Sequence, residues 1–421
     1  MIQTIQSCLM LFLCGLYTAL LILLMIPRRG REKSSTVYPP LSILIPAYNE
    51  AKNIRETLES LQAASYPAPR EIILVDDGSQ DRTVEVAKTV TGISLQIIQT
   101  ERLGKARALN VALQKATHEI IIVLDADTTL APTALLEIVV PFENQKVAAV
   151  AANVRAVVTK KILTWFQELE YALFSAWRVA QNKINAVCVV PQFCALRKSA
   201  LEKIGGIPAD TATEDFDVCF ELTRAGYQVV MEEKALAFTK VPETISGLFR
   251  QRVRWARGIL QVVSKHRVLF FSRRFFPLGA IAMPTLVYWY FHAALYLPTT
   301  LYQIGHDYWF YFIHKDQWFS AEVLQFIFGW MTLYGVSRLA FQVGVGFLTM
   351  TPSVLLIFVV CSLSYGLTFV ALYRFGGKRS FSQAVAIFCF FPYCLFALAA
   401  LCYGLFSEIR SRLKGFVVGT Q

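Results

Sequence analysis

The sequence lacks the glycine motifs of two common classes of nucleotide-binding enzyme. No G-x-G-x-x-G follows the first predicted strand, and no G-x-x-x-x-G-K-[ST] occurs. These absences argue against a dinucleotide-dependent dehydrogenase and a P-loop nucleotide hydrolase. The nine cysteines show no C-x-x-C spacing and the five histidines no zinc-ligand spacing. The sequence therefore predicts free, buried cysteines in a reducing compartment, and no zinc site.

Charged residues are also scarce. They make up 17% of the 421 residues, whereas 55% are hydrophobic, and a typical soluble domain has about 25% charged residues. Mostly apolar runs long enough to cross a bilayer occur at 8–26, 278–302, 321–343, 353–373 and 383–406. We therefore predict an N-terminal transmembrane anchor at 1–30, a soluble domain at 31–275 and a transmembrane bundle at 276–421. The number of crossings stays open, because 321–343 contains Arg338 and the last run contains Pro392, so one of them is a candidate interfacial or re-entrant segment.

The net charge of +11 indicates a membrane surface rather than nucleic acid. Basic residues cluster beside the apolar runs, as in Arg28, Arg29 and Arg31 after the first one, and no base-reading motif accompanies them. Because positive charge favours the cytoplasmic side, we expect the domain after the first span to be cytoplasmic. The lipid bilayer is thus a predicted partner, and nucleic acid is not.

Four short apolar runs, at 41–46, 71–75, 93–98 and 120–124, are each followed by a helical pattern. Alternating units of this kind predict a parallel sheet with helices on both faces. Polar residues follow three of these runs: Asn49, Glu50, Asp76, Asp77, Asp125 and Asp127. Since ligands of such sheets bind at the carboxyl ends of the strands, these residues predict a nucleotide site.

Asp125 and Asp127 form a D-x-D pattern directly after the fourth run. Two carboxylates on a short turn suit Mg²⁺ or Mn²⁺ held together with nucleotide phosphates. Asp is also a common turn residue and helix N-cap, so the D-x-D alone leaves a purely structural role open. The repetition of polar residues at three strand ends favours the nucleotide site.

In this order the motifs resemble the family 2 glycosyltransferases of GT-A fold, especially their membrane-embedded processive branch, which includes poly-N-acetylglucosamine, chitin, hyaluronan and cellulose synthases. The matching stretches are 45–50, 75–79, 104–110, 125–127, 213–215 and 251–255. The resemblance implies an α/β GT-A-like domain with a mixed, mostly parallel sheet, inserted between transmembrane α-helices. It covers most of the chain.

The resemblance also implies a role for each matched residue. Asp215 would be the catalytic base, with Glu214 beside it, and a divalent Mg²⁺ or Mn²⁺ would bind Asp127 and Asp125. The donor would be held by Pro46, Tyr48, Glu50, Asp76, Asp77, Lys105, Asp125, Gln251 and Arg254. The acceptor would contact Trp255 and Thr213. For Lys105 an ordinary solvated lysine at a helix start stays an alternative, and Asp217 is interpreted as helix-dipole stabilisation.

Residues 251–255 read Q-R-V-R-W, the stretch most typical of the processive branch. On a helix Gln251, Arg254 and Trp255 share a face, so an amide, a guanidinium and an indole are expected to point the same way. A membrane-surface helix with Arg and Trp at the lipid headgroups is the alternative. Residues 160–180 predict a second interfacial helix, and Gln192 stands where the family usually has glycine in the acceptor loop.

The leading hypothesis is an inverting processive glycosyltransferase that uses a UDP-sugar, with UDP-N-acetylglucosamine preferred. It would elongate a β-linked polysaccharide in a bacterial inner or plasma membrane and pass the chain across. The resemblance leaves room for an accessory membrane subunit. Two alternatives are a glycolipid synthase that adds one sugar to a ceramide or glycerolipid, and an inactive membrane scaffold. The second would be expected to lose the acidic residues, and Asp76, Asp127, Glu214 and Asp215 are all present.

Overall fold

The computed structural model of the chain describes residues 2–27, 38–313, 320–331, 333–377 and 380–418. Its strands are β1 (Leu41–Ala47), β2 (Arg70–Asp76), β3 (Leu95–Gln99), β4 (Ile120–Leu124), β5 (Thr128–Leu130), β6 (Val147–Ala156), β7 (Phe193–Arg197) and β8 (Gln228–Thr239). The helices of the sheet-containing part are α2 (Ile54–Ala63), α3 (Thr83–Lys88), α4 (Lys105–Lys115), α5 (Ala134–Ile138), α6 (Ile162–Lys183), α7 (Lys198–Lys203), α8 (Glu214–Arg224) and α9 (Ile245–Lys265).

The remaining helices are mostly apolar. They are α1 (Ile2–Met25), α10 (Met283–Tyr308), α11 (Ala321–Met331), α12 (Leu333–Gly344), α13 (Pro352–Phe375), α14 (Phe381–Phe388) and α15 (Phe390–Val418). Short 3₁₀ turns cover Val140–Glu143, Arg267–Leu269 and Arg273–Phe275, and π-helical turns cover Pro277–Ala282 and Trp309–Ile313.

One eight-stranded sheet runs through the domain in the order β3-β2-β1-β4-β7-β6-β8-β5. The pairs β1–β2, β1–β4 and β2–β3 are parallel, and Leu41 of β1 lies opposite both Arg70 of β2 and Ile120 of β4. β7 is antiparallel to its neighbours β4 and β6, whereas β6 and β8 are parallel. The predicted mixed, mostly parallel sheet is confirmed, and the short stretch after the D-x-D forms the edge strand β5 before α5 begins.

Helices cover both faces of the sheet, as predicted. The alternation of side chains along β1 sends Leu44 into one core and Ile43 and Ile45 into the other. One core is closed by α4, α6 and α8, and the other by α2 and α5. All five residues of β4 are buried, which explains its continuous apolar run. The two cores fix the carboxyl ends of β1, β2 and β4 at one edge.

Four described helical segments are long and apolar enough to cross a bilayer: Gln6–Met25, Pro277–Tyr308, Pro352–Phe375 and Phe390–Leu413. Of the fifth candidate, 321–343, the structure describes α11 and α12, which are 11 and 12 residues long, and residue 332 between them lies outside the described residues. A Cβ on Gly335 would lie 1.8 Å from the carbonyl oxygen of Gly329, so the two helices meet at a close backbone approach. The predicted boundary at residue 30 and the cluster Arg28, Arg29, Arg31 lie outside the described residues.

Candidate active site

Asp76 and Asp77 end β2 and are both buried. Asp77 accepts hydrogen bonds from the backbone N–H groups of Leu103 at 2.7 Å and Gly104 at 2.8 Å, so it holds the loop that starts α4. Asp76 accepts only long hydrogen bonds, from the Ser79 N–H at 3.3 Å and the Gln99 side chain at 3.4 Å. Asp76 therefore keeps accepting capacity for a ligand, whereas the geometry gives Asp77 a positioning role.

The loop after β1 is fixed against the loop after β2. Asn49 adopts a positive φ of 56°, its N–H donates to Ser79 Oγ at 2.9 Å, and its side chain accepts from the Gln80 N–H at 2.8 Å. Tyr48 is thereby placed beside the end of β2, where the Arg102 guanidinium stacks on its ring. Pro46 lies within β1, opposite Val75. These contacts bring the predicted donor residues of the first two strands together.

Glu50, Asp125 and Asp127 form the acidic part of the site. Burial, followed by the negative charges of Asp125 and Glu50, raises the pKa of Asp127 to about 7. Burial is also the main cause of the raised pKa of Glu50. Asp127 accepts from the hydroxyls of Thr128 at 3.2 Å and Thr239 at 3.4 Å. A nearby positive charge would relieve the repulsion that Asp125 and Glu50 exert on Asp127, so this set of carboxylate oxygens fits a divalent cation.

Lys105 connects this acidic part to the next one. Its Nζ lies 2.8 Å from Asp125 Oδ1 and 3.0 Å from Glu214 Oε1. Desolvation alone would lower the pKa of Lys105, but the two ion pairs hold it well above its usual range. Lys105 begins α4 and its side chain is 40% exposed, so it is a solvated lysine at a helix start that also forms two ion pairs. The ammonium group of Lys105 thus connects the end of β4 to the start of α8.

Glu214 and Asp215 open α8, and their environments differ. Burial would raise the pKa of Glu214, but the ion pair with Lys105 lowers it. For Asp215, burial and the nearby negative charge of Glu214 raise the pKa to about 7, although Lys105 and Arg254 oppose the shift. A carboxylate that titrates near neutral pH is suited to accept a proton during turnover.

Thr213 lies directly before α8 and is 2% exposed. Its hydroxyl has no hydrogen-bond partner among the described residues. A Cβ on Gly258 of α9 would lie 2.4 Å from Thr213 Cγ2 and 2.5 Å from its Oγ1. Only glycine lets α9 approach the turn before the acidic pair this closely. Gly258 was missed from the sequence, although a glycine inside a helix, three residues after the tryptophan, was a signal.

The residues of the Q-R-V-R-W stretch do not point the same way, contrary to expectation. Arg254 Nη1 donates to the Ala212 carbonyl at 3.3 Å, beside the turn before α8. Trp255 instead meets the ring of Phe174 at 6.2 Å, on α6. The Gln251 side chain accepts from Arg252. Arg254 therefore connects α9 to the turn that precedes Asp215, the predicted base, and Trp255 connects α9 to α6.

Arg252 is the functional neighbour that sequence reasoning missed. It is 7% exposed, forms an ion pair with Glu170 of α6, and stacks on the Trp255 ring at 4.2 Å. Tyr393 of α15 donates to Glu170 at 2.7 Å. This network sets the position of the indole through three helices. α6 covers the predicted 160–180, but its Glu168 and Arg178 are buried rather than displayed at a surface.

A second group of potential metal ligands lies away from the D-x-D. Ligand atoms of Asp217, Glu221 and His266 are all within 4.8 Å of one another. Lys265 Nζ already lies 2.9 Å from Asp217 and 3.7 Å from Glu221, and His266 Nε2 is 2.7 Å from Asp217. Burial would raise the pKa of Asp217, but the hydrogen bonds from His266 and Lys265 lower it. These contacts tie α8 to the end of α9.

Comparison with known proteins finds a family match that covers β1 to β7 of the sheet and leaves out β8. Residues 42–205 match the model of the family described as "Glycosyl transferase family 2". These residues form a family 2 glycosyltransferase domain. The predicted family is thus confirmed for the part of the chain that contains Asp76, Lys105 and the D-x-D. Glu214, Asp215 and α9 lie beyond the matched residues, so their roles stay predictions.

Curated relatives extend the likeness. The chain is similar to poly-β-1,6-N-acetyl-D-glucosamine synthase of Staphylococcus epidermidis, with 36% identity over 224 residues, which is 52% of this chain and 54% of the relative. It is also similar to the synthase of that name from Staphylococcus aureus strain COL, with 32% identity over 264 residues, or 61% and 64% of the two chains. The chain spans less than two thirds of the length of each relative by these matches.

A solved structure shows the same fold over nearly the whole chain. The mannosyltransferase PcManGT from Pyrobaculum calidifontis, in complex with GDP-Man and Mn²⁺, aligns with a TM-score of 0.61 and 20% identity. The alignment covers 96% of this chain and 98% of that one. The predicted GT-A-like fold between apolar helices is therefore confirmed, and the likeness in fold extends to the apolar helices.

Proposed function

We propose that this protein transfers a sugar from a UDP-sugar to an acceptor hydroxyl with inversion at the anomeric carbon. The observation that carries the proposal is Lys105, which lies within 3.0 Å of both Asp125 and Glu214. Lys105 thereby connects Asp125, which with Asp127 would bind the divalent cation of the donor diphosphate, to Glu214, the neighbour of the predicted base Asp215. A donor and an acceptor bound on the two sides of Lys105 would meet between them.

The donor half lies at the ends of β1, β2 and β4. Asp76 has free accepting capacity for an N–H of the nucleobase, and Tyr48 provides an aromatic face beside it. A divalent ion held by Asp127 and Asp125 would supply positive charge to the departing diphosphate. Lys105 lies 2.8 Å from Asp125, so its ammonium group would also stabilise that leaving group, and we assign the Arg254 guanidinium the same role.

The acceptor half lies around Asp215. In one displacement the acceptor oxygen bonds to the anomeric carbon while the bond to the diphosphate oxygen breaks, and Asp215 takes the hydroxyl proton. The pKa of Asp215, raised by burial and by Glu214 to about 7, leaves about half of these carboxyl groups ionised at neutral pH and makes the ionised form a stronger base than an ordinary carboxylate. The Trp255 ring, held by Arg252 and Phe174, offers an apolar face to an acceptor sugar.

We further propose that the product is a β-linked N-acetylglucosamine polymer made at the cytoplasmic face. The staphylococcal relatives are named as synthases of such a polymer. Four helices long enough to cross a bilayer exceed what a single anchor requires, and a hydrophilic chain needs a lined path through hydrocarbon. A single-sugar glycolipid is the alternative, and an accessory membrane subunit stays part of the proposal.

The deciding experiment is incubation of purified full-length protein in membranes with labelled UDP-sugars. We expect incorporation from UDP-N-acetylglucosamine into a large product that a β-1,6-specific glycosidase digests. Asp215→Asn is the matched control, because it keeps the size of the side chain and removes the base. A product that carries only one or two sugars and extracts into organic solvent would establish the glycolipid alternative instead.

A further inference from the structure

α15 is long and apolar enough to cross a bilayer, but both of its ends contact the same helix of the sheet-containing domain. Near its start the Tyr393 hydroxyl accepts from Arg252 of α9 at 3.3 Å. Near its end Arg412 donates to the Ser264 hydroxyl, also on α9, at 2.9 Å. The helix between Tyr393 and Arg412 is about 28 Å long at about 1.5 Å per residue. This is close to the thickness of a hydrocarbon core, about 30 Å, yet neither end has left α9.

Further contacts join the two helices between these ends. Glu408 of α15 is 6% exposed and accepts from Arg257 at 3.3 Å and from Gln261 at 3.1 Å. Gly404 packs against Ala256, since a Cβ on the glycine would lie 2.5 Å from the alanine Cβ. The order of the contacts along α15 is the order of their partners along α9, so the helices run side by side in the same direction. A helix that left α9 to cross the bilayer would touch it at one end only.

α9 in turn lies against the sheet-containing domain. It begins a short turn after β8 ends. In its middle Arg254 donates to the Ala212 carbonyl at 3.3 Å, and its last residue, Lys265, lies 2.9 Å from Asp217 of α8. α9 is therefore held along its length on one side of the bilayer. A helix that runs beside it stays on that side as well.

Exposed apolar side chains show which surface of this helix pair meets lipid. Ile245, at the start of α9, is 65% exposed, and Phe271, just beyond its end, is 73% exposed. On α15 the exposed apolar residues recur at intervals of three or four and share one side of the helix, which we call the apolar face of α15: Tyr403, Phe406, Ile409 and Leu413. Gly404 and Glu408 lie on the opposite side, toward α9. A helix with one apolar face is typical of the bilayer interface.

The end of α13 shows on which side of the bilayer α15 begins. Arg374, in the last turn of α13, lies 2.7 Å from Glu233 of β8 and donates to the Leu24 carbonyl of α1 at 3.1 Å. Both α1 and α13 thus end beside the sheet-containing domain. Gln383 of α14 donates to Glu168 of α6 at 3.0 Å. α14 and both ends of α15 therefore lie on the same side of the bilayer as the sheet.

We propose that α15 does not cross the bilayer and instead lies in its cytoplasmic interface, with the apolar face of α15 against the lipid. That it does not cross rests on the contacts with α9, whereas the cytoplasmic side rests on the proposed function. Arg410 and Arg412 are then cytoplasmic, where positive charge is favoured. Among the described helices α1, α10 and α13 remain to cross. α15 holds α9, which carries Arg254 and Trp255, at the depth of the lipid headgroups.

The test locates introduced cysteines with a membrane-impermeant maleimide, in intact and in lysed spheroplasts of a bacterial host that expresses the full-length chain. Ser380→Cys lies directly before α14 and Arg410→Cys lies near the end of α15, both at exposed residues. Arg82→Cys, at a side chain that is 81% exposed, marks the sheet-containing domain. Thr349→Cys, exposed between α12 and α13, marks the opposite side. We expect labelling of Thr349→Cys in intact spheroplasts and of the other three only after lysis, each above the background of the wild-type chain.

Labelling of Arg410→Cys in intact spheroplasts would mean that α15 crosses, and labelling of Ser380→Cys there would mean that α13 ends on the other side. Either result overturns the proposal when Arg82→Cys is protected. Protection of Arg410→Cys even after lysis would place the end of α15 in the hydrocarbon and also overturn it. Labelling of Arg82→Cys in intact spheroplasts would refute the cytoplasmic location, and α15 would then fail to cross only if Ser380→Cys and Arg410→Cys are labelled with it. None of these results depends on turnover, so UDP release tests the proposed activity separately.

Discussion

Gly258→Ala is the sharpest test of how α9 positions the catalytic turn. The added Cβ would lie 2.4 Å from Thr213 Cγ2, 2.5 Å from its Oγ1 and 2.8 Å from its Cβ. Carbon atoms in favourable contact are about 3.5–4.0 Å apart, so the turn or the helix must move by about 1 Å. Overpacking of this kind costs typically about 1–3 kcal/mol of stability. The protein should still fold.

The effect on catalysis should be larger than the effect on stability. A misplacement of about 1 Å in a reacting group can reduce the rate by roughly 10²-fold. Thr213 is followed by Glu214 and Asp215, whereas the donor residues after β1 and β2 do not contact Gly258. We therefore expect kcat to fall by roughly 10²-fold, with UDP-sugar affinity nearly unchanged.

The assay compares UDP release at saturating donor with donor binding by calorimetry, and thermal unfolding reports on folding. Gly366→Ala in α13 is the matched control, because a Cβ there meets nothing within 4 Å and alanine favours the helix. Wild-type turnover by Gly258→Ala would refute the reasoning, since the turn would then tolerate displacement. Loss of donor binding together with normal turnover at saturation would show that α9 positions the donor rather than the base.

The remaining predictions concern the reacting groups. Asp127→Ala should abolish transfer with Mg²⁺ or Mn²⁺ present, because a ligand to the cation is lost. Asp215→Asn should leave donor affinity nearly intact while turnover falls by roughly 10² or more. Since burial and Glu214 raise the pKa of Asp215 to about 7 and the ionised form is the base, wild-type turnover should fall as the pH falls through about 7. Lys105→Met removes a charge that lowers this pKa, so the midpoint should move to higher pH. Trp255→Ala should reduce polymer formation far more than donor hydrolysis.

Each of these predictions has a result that contradicts it. Full turnover of Asp127→Ala in chelator would remove the metal assignment. A collapse of donor affinity in Asp215→Asn would move that residue to the donor half. An unchanged pH midpoint in Lys105→Met would show that Lys105 does not act on the base, and equal losses of hydrolysis and polymer in Trp255→Ala would place the indole with the donor.

The parallel half of the fold was predictable because its strands carry local signals. β1, β2 and β4 are apolar runs that are followed by polar residues, and a helix follows β1 and β2 directly. The antiparallel insertion of β7 between β4 and β6 has no such signal. It depends on pairing between Phe193 and Leu124, which are far apart in sequence.

The sequence predicts which residues belong to the candidate site, but it does not predict which neighbours their side chains contact. Lys105 has two carboxylate partners from different elements, and only the sheet order brings those elements together. Gln251, Arg254 and Trp255 are within one turn of a helix, yet the neighbours that fix them are Arg252, Ala212 and Phe174. Helical spacing alone gives a face, whereas the final rotamer follows from tertiary contacts.

The contacts that hold α9 also determine whether the sheet-containing domain can be produced without the helices that follow it. The Ala256 carbonyl accepts from Tyr290 of α10 at 2.6 Å, and Arg252 shares Glu170 with Tyr393 of α15. A fragment that ends near residue 275 would keep every acidic residue of the site but would lose these supports from the helices that follow. Expression of the sheet-containing domain alone is therefore a poor route to active protein, and biochemical work requires the membrane helices in the same polypeptide.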